Sequence, residues 1–408
     1  EYDDAIYAGQ SFWRFLAGKY GNAIIPNILY LTKIYKNIDD GLLYVTGVDL
    51  KDLLKEWKEY YSNEYADGET YPSSTDDFLV QSRKEQIYQQ VRISPDGNTI
   101  AYVTNDWGRK KIWLYDQVSG KQKTIFRAEP RFEQKTDNTY PVMAWHPDGN
   151  ILTFINEEKA GLVIYFHRIQ EKETSRRNLL YFDKVLDFSY SPDGTQLVFS
   201  AVKDGMTDIY VHTLASATNE QITRDFADDL NPSYLDGEPG MIIFSSNRLS
   251  DTLTNTGNPF ERTGLTFDLF TYNTISGDGV LTRLPEGRFI SRYSPQSTGK
   301  NQISYLGDNN GILNRYTASF DSSISYIDTI THYQQFIRSV PVTGYNTNIL
   351  SVSVSEGTGE TGEIVFADDK YLLMSQTGAE AGLKEEDMAV TTYRKEWDEF
   401  LHRADSIE

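Results

Sequence analysis

Five histidines, His146, His167, His212, His332 and His402, are the side chains best suited to general-base or metal chemistry, and they fall singly along the chain. A zinc site needs at least two such ligands at usable spacing, so none is expected here. His146 occupies a turn position that serine holds elsewhere in the chain, which makes it structural. With no cysteine there is no thiolate nucleophile, thiolate metal site or disulfide. A serine hydrolase needs the elbow G-x-S-x-G; Gly9-Gln10-Ser11-Phe12-Trp13 comes nearest and fails at its last position. Gly307-Asp308-Asn309-Asn310-Gly311 groups oxygen ligands that suit calcium, but it lacks the EF-hand spacing and terminal Glu and reads as a turn. Ser276-Gly277-Asp278-Gly279 has no Lys-Ser/Thr after it and is no phosphate loop. Nothing selects an arginine triad with acidic pairs. The expectation is a chain without catalytic residues, metal or cofactor.

What the sequence does carry is a repeat. Ser94-Pro95-Asp96-Gly97 returns as His146-Pro147-Asp148-Gly149 and as Ser191-Pro192-Asp193-Gly194, each followed by a short apolar strand. Proline sets φ, aspartate bonds its own backbone, and glycine takes the left-handed position, so each tetrapeptide is a hairpin corner. Two looser units centre on Asn231-Pro232, with Asp236-Gly237, and on Ser294-Pro295. A sixth runs from about Phe336 through Ile349–Val354 to Tyr371–Met374. The prolines recur every 40 to 63 residues, roughly the ~40–50-residue period of propeller blades. The longest interval holds an insertion, Leu249 to Thr266. Single blades cannot bury their apolar faces, so they must stack around an axis. The fold class expected is mainly β: a β-propeller of six blades, with five or seven as alternatives, over residues 74–376. A small helical segment precedes it, and a linker and amphipathic helix (377–408) follow.

Beyond the corners, Phe244-x-Ser246-x-Arg248, the triplets Asp208-Ile209-Tyr210 and Asp268-Leu269-Phe270, and the pairs Ile222-Thr223 and Leu281-Thr282 resemble the blade pattern of TolB-type propellers. The resemblance covers nearly three quarters of the chain. It implies a fold rather than an activity, because propellers host binding, scaffolding and catalysis alike. The dipeptidyl-peptidase arrangement is excluded for this chain, since its hydrolase half is missing.

The first 66 residues have a helical period. Phe12, Phe15, Leu16 and Tyr20 share a face that Gly21 ends; Pro26 sits in the first turn of a second helix; Gly47 closes a third, and Asp49 caps a fourth carrying Leu53 and Trp57. The run Tyr7 to Leu16, with Lys19-Tyr20-Gly21, Thr46-Gly47 and Leu53 to Trp57, is similar to the C-terminal helical part of MA-like gluzincin metallopeptidases. That resemblance implies a truncated peptidase-like remnant, the alternative being an unrelated helical cap. The family's H-E-x-x-H ligands are not in this chain, where no histidine precedes His146; zinc would belong to a longer parent protein. The opening Glu1-Tyr2-Asp3-Asp4 is no secretory signal, so either a signal was removed or the chain begins inside a longer polypeptide.

Val390, Tyr393, Trp397, Phe400 and Leu401 recur at helical spacing near the C-terminus. This helix packs on its own domain or docks a partner. A net charge of −20 opposes nucleic acid as a partner, and no apolar run approaches the roughly 20 residues of a transmembrane segment. The 28 tyrosines and 20 phenylalanines fit a strand-rich chain. The absence of cysteine suits an oxidising compartment. The functional expectation is a non-catalytic scaffold binding a protein or peptide in the Gram-negative cell envelope. It would be periplasmic or outer-membrane-associated, within a larger assembly. Asn258, Phe260 and Arg262 in the insertion and Trp397 and Phe400 on the last helix are the candidate partner-binding residues. The alternative is the C-terminal portion of a zinc metallopeptidase whose propeller positions substrate.

Overall fold

A computed structural model describes residues 2–64, 78–129, 137, 139–249, 253, 264, 266–277, 279–284, 290–327, 331–376, 382–385, 388 and 390–405. The chain divides into two compact units, Glu1–Thr70 and Tyr71–Glu408. The first holds four helices: α1 (Tyr2–Tyr20), α2 (Ile24–Tyr35), α3 (Ile38–Thr46) and α4 (Leu50–Glu64). Gly21 (φ 88°) and Gly47 (φ 73°) end α1 and α3, and the Asp49 carboxylate accepts the Asp52 N–H at 2.8 Å to start α4. Phe15, Leu16, Ile24, Ile28, Leu42 and Leu53 form the buried centre of this bundle, with Phe12, Tyr20 and Trp57 packed around it.

The second unit begins with β1 (Phe78–Gln81) and continues through six blades. The first is β2 (Ile87–Ile93), β3 (Thr99–Asp106), β4 (Arg109–Asp116) and β5 (Gln122–Ala128). The second is β6 (Val142–Trp145), β7 (Ile151–Glu158), β8 (Gly161–Arg168) and β9 (Glu173–Leu179). The third is β10 (Lys184–Tyr190), β11 (Gln196–Lys203), β12 (Met206–Thr213) and β13 (Thr218–Gln221). The fourth is β14 (Asp229–Tyr234), β15 (Met241–Ser246), β16 (Asp268–Asn273) and β17 (Leu281–Leu284). The fifth is β18 (Arg292–Gly299), β19 (Gln302–Gly307), β20 (Asn314–Ile327) and β21 (Thr331–Pro341). The sixth is β22 (Ile349–Val354), β23 (Thr361–Ala367) and β24 (Lys370–Gln376), and β1 pairs antiparallel with β24 as its outermost strand. First and last strands of the ring thus share one sheet, which closes it and leaves no gap between the ends.

The core lies between blades rather than within them. Six apolar clusters occupy the six junctions; that between the last blade and the first joins Tyr88, Val91, Ile93, Ile100 and Tyr102 to Ile364 and Leu373. Each middle strand is therefore buried on both faces, and β3, β7 and β11 read as nearly continuous apolar runs instead of alternating.

The repeated tetrapeptides are corners between the first and second strands, as their composition requires. Gly97, Gly149 and Gly194 sit at φ 74°, 75° and 71°, and their N–H groups donate to Ser94, His146 and Ser191 carbonyls at 2.8–2.9 Å. Asp96 and Asp193 accept the N–H two residues on, at 3.1 and 3.0 Å. A Cβ on Gly194 would stand 2.2 Å from Nε2 of His146, whose ring lies edge-on to Tyr190. Gly194→Ala is thus expected to cost about 2 kcal/mol or more from left-handed strain and displacement of this ring; a lowered thermal midpoint checks it.

Six blades replace the five-or-seven alternatives, but two units are placed differently from the sequence reading. Pro232 and Pro295 are not corners; they lie inside β14 and β18, the innermost strands of their blades, where Asn231 and Ser294 (φ 51° each) bulge the strand. An innermost strand has one unpaired edge, so a proline there removes no ladder bond. The fourth corner is Asp236-Gly237, with Gly237 at φ 80°. Phe336 belongs to β21 of the fifth blade, not to the start of the sixth, because β20 and β21 pair along their whole length.

Residues 382–385 and 388, together with α5 (Thr392–Asp405), run over the fifth blade. Leu383 N–H donates to Pro341 O and Thr391 N–H to Asn310 O, and Tyr316 Oη reaches Met388 Sδ, buried beside it.

Candidate functional site

Ser11, the nearest match to a nucleophile elbow, is on helix α1, where its Oγ donates to Ala8 O and accepts from Trp57 Nε1 at 3.2 Å. It is a helix-packing hydroxyl. Nδ1 of His146 accepts Asp148 N–H, and those of His167 and His212 bond Thr174 and Asn219 at 2.8 Å. In the Gly307–Gly311 turn Asp308 accepts Ser291 N–H and Asn310 accepts Ile312 N–H, while Asn309 donates its amide to Glu385 and leaves its buried Oδ1 without a hydrogen bond among the described residues. Asn258, Phe260 and Arg262 lie outside the described residues. Trp397 and Phe400 are on α5, with Tyr393 forming one row: Trp397 Nε1 donates to Tyr393 Oη at 2.5 Å, and the Phe400 ring, 5.7 Å from Trp397, is exposed.

The concave feature that the sequence did not single out is the axial channel. β2, β6, β10, β14, β18 and β22 surround a cavity of about 590 Å³, within the roughly 300–1,000 Å³ of ordinary ligand pockets. Each of these strands presents one unpaired edge to the axis, a template for an added strand. Side chains from neighbouring blades cover many of its groups. Gln90 accepts Met143 N–H, Ser351 and Ser353 accept Val91 and Ile93 N–H, and Gln296 both donates to Val352 O and accepts Val354 N–H. Arg92 donates to Met143 O at 2.9 Å and pairs with Asp187 at 2.6 Å, while Asn231 donates to the other Asp187 oxygen at 3.1 Å. This chain of bonds ties the first blade to the second, third and fourth. The bulges in β2, β10, β14, β18 and β22 turn these side chains toward the axis.

The two rims differ. Because strands alternate direction, the corners joining first to second strands all emerge on one rim, and the blade-to-blade connections on the other. Pro95, Pro147, Pro192, Asp236 and Glu356 line the cavity, so it reaches the corner rim. There five of the six blades place an exposed carboxylate, Asp96, Asp148, Asp193, Asp236 and Glu356; the fifth blade places Lys300. The Asp193 carboxyl is held below its usual range by hydrogen bonds from Ser191 and Thr195. Partial desolvation, then the charge of Asp236, raise the Glu356 carboxyl above its ordinary value against a Ser297 hydrogen bond. Among the described lining residues Arg92 is the only base, and Asp187 already neutralises it.

Near the opposite rim lies a buried ion cluster at the junction of the third and fourth blades. Asp208, Asp225 and Asp229 offer oxygens within 4.8 Å of one another. The place a cation would take is filled by the Arg248 guanidinium, 3.0 Å from Asp225 and 2.6 Å from Asp229. Burial first, then the Asp229 charge, push the Asp208 carboxyl up to about 7. Similar pairs staple the next junctions: Asp268 with Arg292 at 2.9 Å and Arg315 with Glu363 at 2.7 Å.

No family model matches the chain. Over 155 residues it is 26% identical to dipeptidyl-peptidase 5 of Porphyromonas gingivalis, covering 33% of this chain; the chain spans about a fifth (21%) of that relative's length. Among solved structures it is similar to TolB from Acinetobacter baumannii (TM-score 0.43, 16% identity, 59% of this chain and 53% of that one). The β-propeller domain of the Trilobed protease from Pyrococcus furiosus gives a TM-score of 0.43 at 10% identity, over 76% of this chain and 99% of that one. The six-bladed ring itself is established by the strand pairing of this chain.

Proposed function

We infer that the chain is a non-catalytic propeller scaffold that binds a protein or peptide at its axial channel, in the periplasm or at the outer membrane of a Gram-negative bacterium. One observation carries the reading. The channel is lined by amide and hydroxyl side chains, Asn231, Gln296, Ser351 and Ser353 with Gln89 and Ser233 beside them, and the first four already bond main-chain N–H or C=O groups of the inner strands, the same groups that an added peptide main chain offers. The absence of cysteine and the TolB-type blade motifs support the setting. Trp397 and Phe400 on the exposed row of α5, and Asn258, Phe260 and Arg262 in the insertion, are secondary contacts within this proposal.

The test is site-specific crosslinking in envelope-fractionated cells. A photoreactive residue in place of Gln89 is expected to yield a discrete adduct, and one in place of Val118, exposed on an outer turn, is expected to yield none. Equal labelling from both positions, or none from Gln89, removes the channel from the reading.

A further inference from the structure

We propose that the corner-rim mouth of the channel is selective for a basic peptide segment, whose lysine or arginine side chains meet Asp236 and Glu356 while its main chain meets the amides and hydroxyls below them. The inference rests on the binding reading above and adds the chemistry of the occupant.

Three observations point to this occupant rather than to an acidic or apolar one. The first is charge. The repeat that builds the corners requires aspartate for its own turn geometry, so repetition around an axis concentrates carboxylates at one mouth. Asp96, Asp148, Asp193 and Asp236 come from four successive blades and Glu356 from the sixth, against Lys300 alone. Hydrogen bonds from Ser191 and Thr195 hold the Asp193 carboxyl low, and those from Ser94 and Asn98 hold Asp96 low against an opposing burial, whereas burial and then the Asp236 charge raise Glu356, so the negative field of the mouth comes from the number of carboxylates there. A like-charged ring around a low-dielectric opening attracts cations and repels anions.

The second is the depth of the site. Inside the mouth the only base among the described lining residues, Arg92, is bonded to Asp187, to Met143 O and to its own neighbour Val91 O, so no free positive charge remains there to hold an acidic ligand. The third is the wall. Besides the prolines and the Arg92–Asp187 pair, the lining holds uncharged amides and hydroxyls such as Gln296, Ser351 and Ser353, which bond the main chain of the inner strands as they would bond an extended peptide.

The experiment uses the full chain and dye-labelled Gly/Ser peptides of one length that carry lysines and arginines, glutamates, or no charge. Anisotropy is expected to show binding of the basic peptide only, weakening about tenfold as salt rises from about 50 to about 300 mM. Asp236→Asn with Glu356→Gln is expected to weaken it about tenfold more, while Glu399→Gln on α5 leaves it unchanged. Both mouth residues are exposed, so the double variant is expected to fold, and an unchanged circular-dichroism melt verifies that. Equal binding of the three peptides, or an unaltered affinity in the double variant, overturns the charge selectivity. Spermidine competing as strongly as the basic peptide overturns the peptide and leaves a plain cation site. If no peptide binds while the Gln89 crosslink persists, the inference fails and the channel reading survives; loss of both removes both.

Discussion

Arg248→Ala is expected to destabilise the protein by about 3–5 kcal/mol, more than the loss of any surface charge, because it leaves buried carboxylates without their counter-ion. The Arg248 side chain is 4% exposed and that of Asp229 0%. Its Nη2 donates to both Asp229 oxygens, its Nε donates to Ser246, and the guanidinium lies 5.8 and 5.7 Å from the Phe244 and Phe270 ring centres. Removing it therefore takes away packing as well as charge. Arg248→Met with Asp229→Asn is expected to recover a large part of the loss, since a neutral pair needs no counter-charge. Urea unfolding of the single and double variants decides it: a single variant within about 1 kcal/mol of the parent would mean that water reaches this cluster.

The second large effect is a pH dependence from Asp208. Its carboxyl titrates at about 7 in the folded protein, raised by burial and then by the charge of Asp229, whereas an unfolded aspartate titrates at about 3.9. Below about pH 4 both states hold the proton. Between about 4 and 7 only the folded state does, so the unfolded chain binds fewer protons and stability falls as pH rises. Above about 7 the loss is complete, and it amounts to a few kcal/mol, of the order of 2–4. Asp208→Asn keeps an Oδ1 acceptor for Thr223 and the Asp225 N–H and gives up only the bond that Gln221 donates to the other oxygen. The variant is expected to match the parent near pH 4.5 and to exceed it at pH 8. Parallel declines in both proteins would assign the pH dependence to other groups.

Together these residues explain the blade pattern in physical terms. The aspartate that opens the third strand (Asp208, Asp268) takes hydrogen bonds from the fourth strand of its own blade (Gln221, Thr223, Arg283), and the arginines Arg248 and Arg292 bring in the following blade. The motif thus ties one blade to the next through buried ion pairs.

Much of the ring was legible beforehand for a reason visible in single residues. A Pro-Asp-Gly corner is determined by φ, by an aspartate that bonds two residues on, and by a left-handed glycine, all within five residues, so it can be read without knowing the fold. The same holds for the helix ends at Gly21, Gly47 and Asp49. Where the local signal was weaker the reading slipped: Asn231-Pro232 and Ser294-Pro295 look like corners but are bulged inner strands, and whether a proline costs a ladder bond depends on which edge is unpaired. The closure strand Phe78–Gln81 carries no sign in its four residues that its partner is Lys370–Gln376.

The sequence by itself determined the repeat, the strand-rich class, the acidic charge and the absence of cysteine chemistry, since these depend on residue identity and near neighbours alone. Only the tertiary structure decided what the repeat adds up to. Carboxylates tens of residues apart come to share one rim, two of them, Asp236 and Glu356, lining the cavity, and Arg92, Asp187 and Asn231 become one network. Those groupings follow from the closure of six sheets around an axis, and closure is a property of how blades pack, not of any segment read in turn.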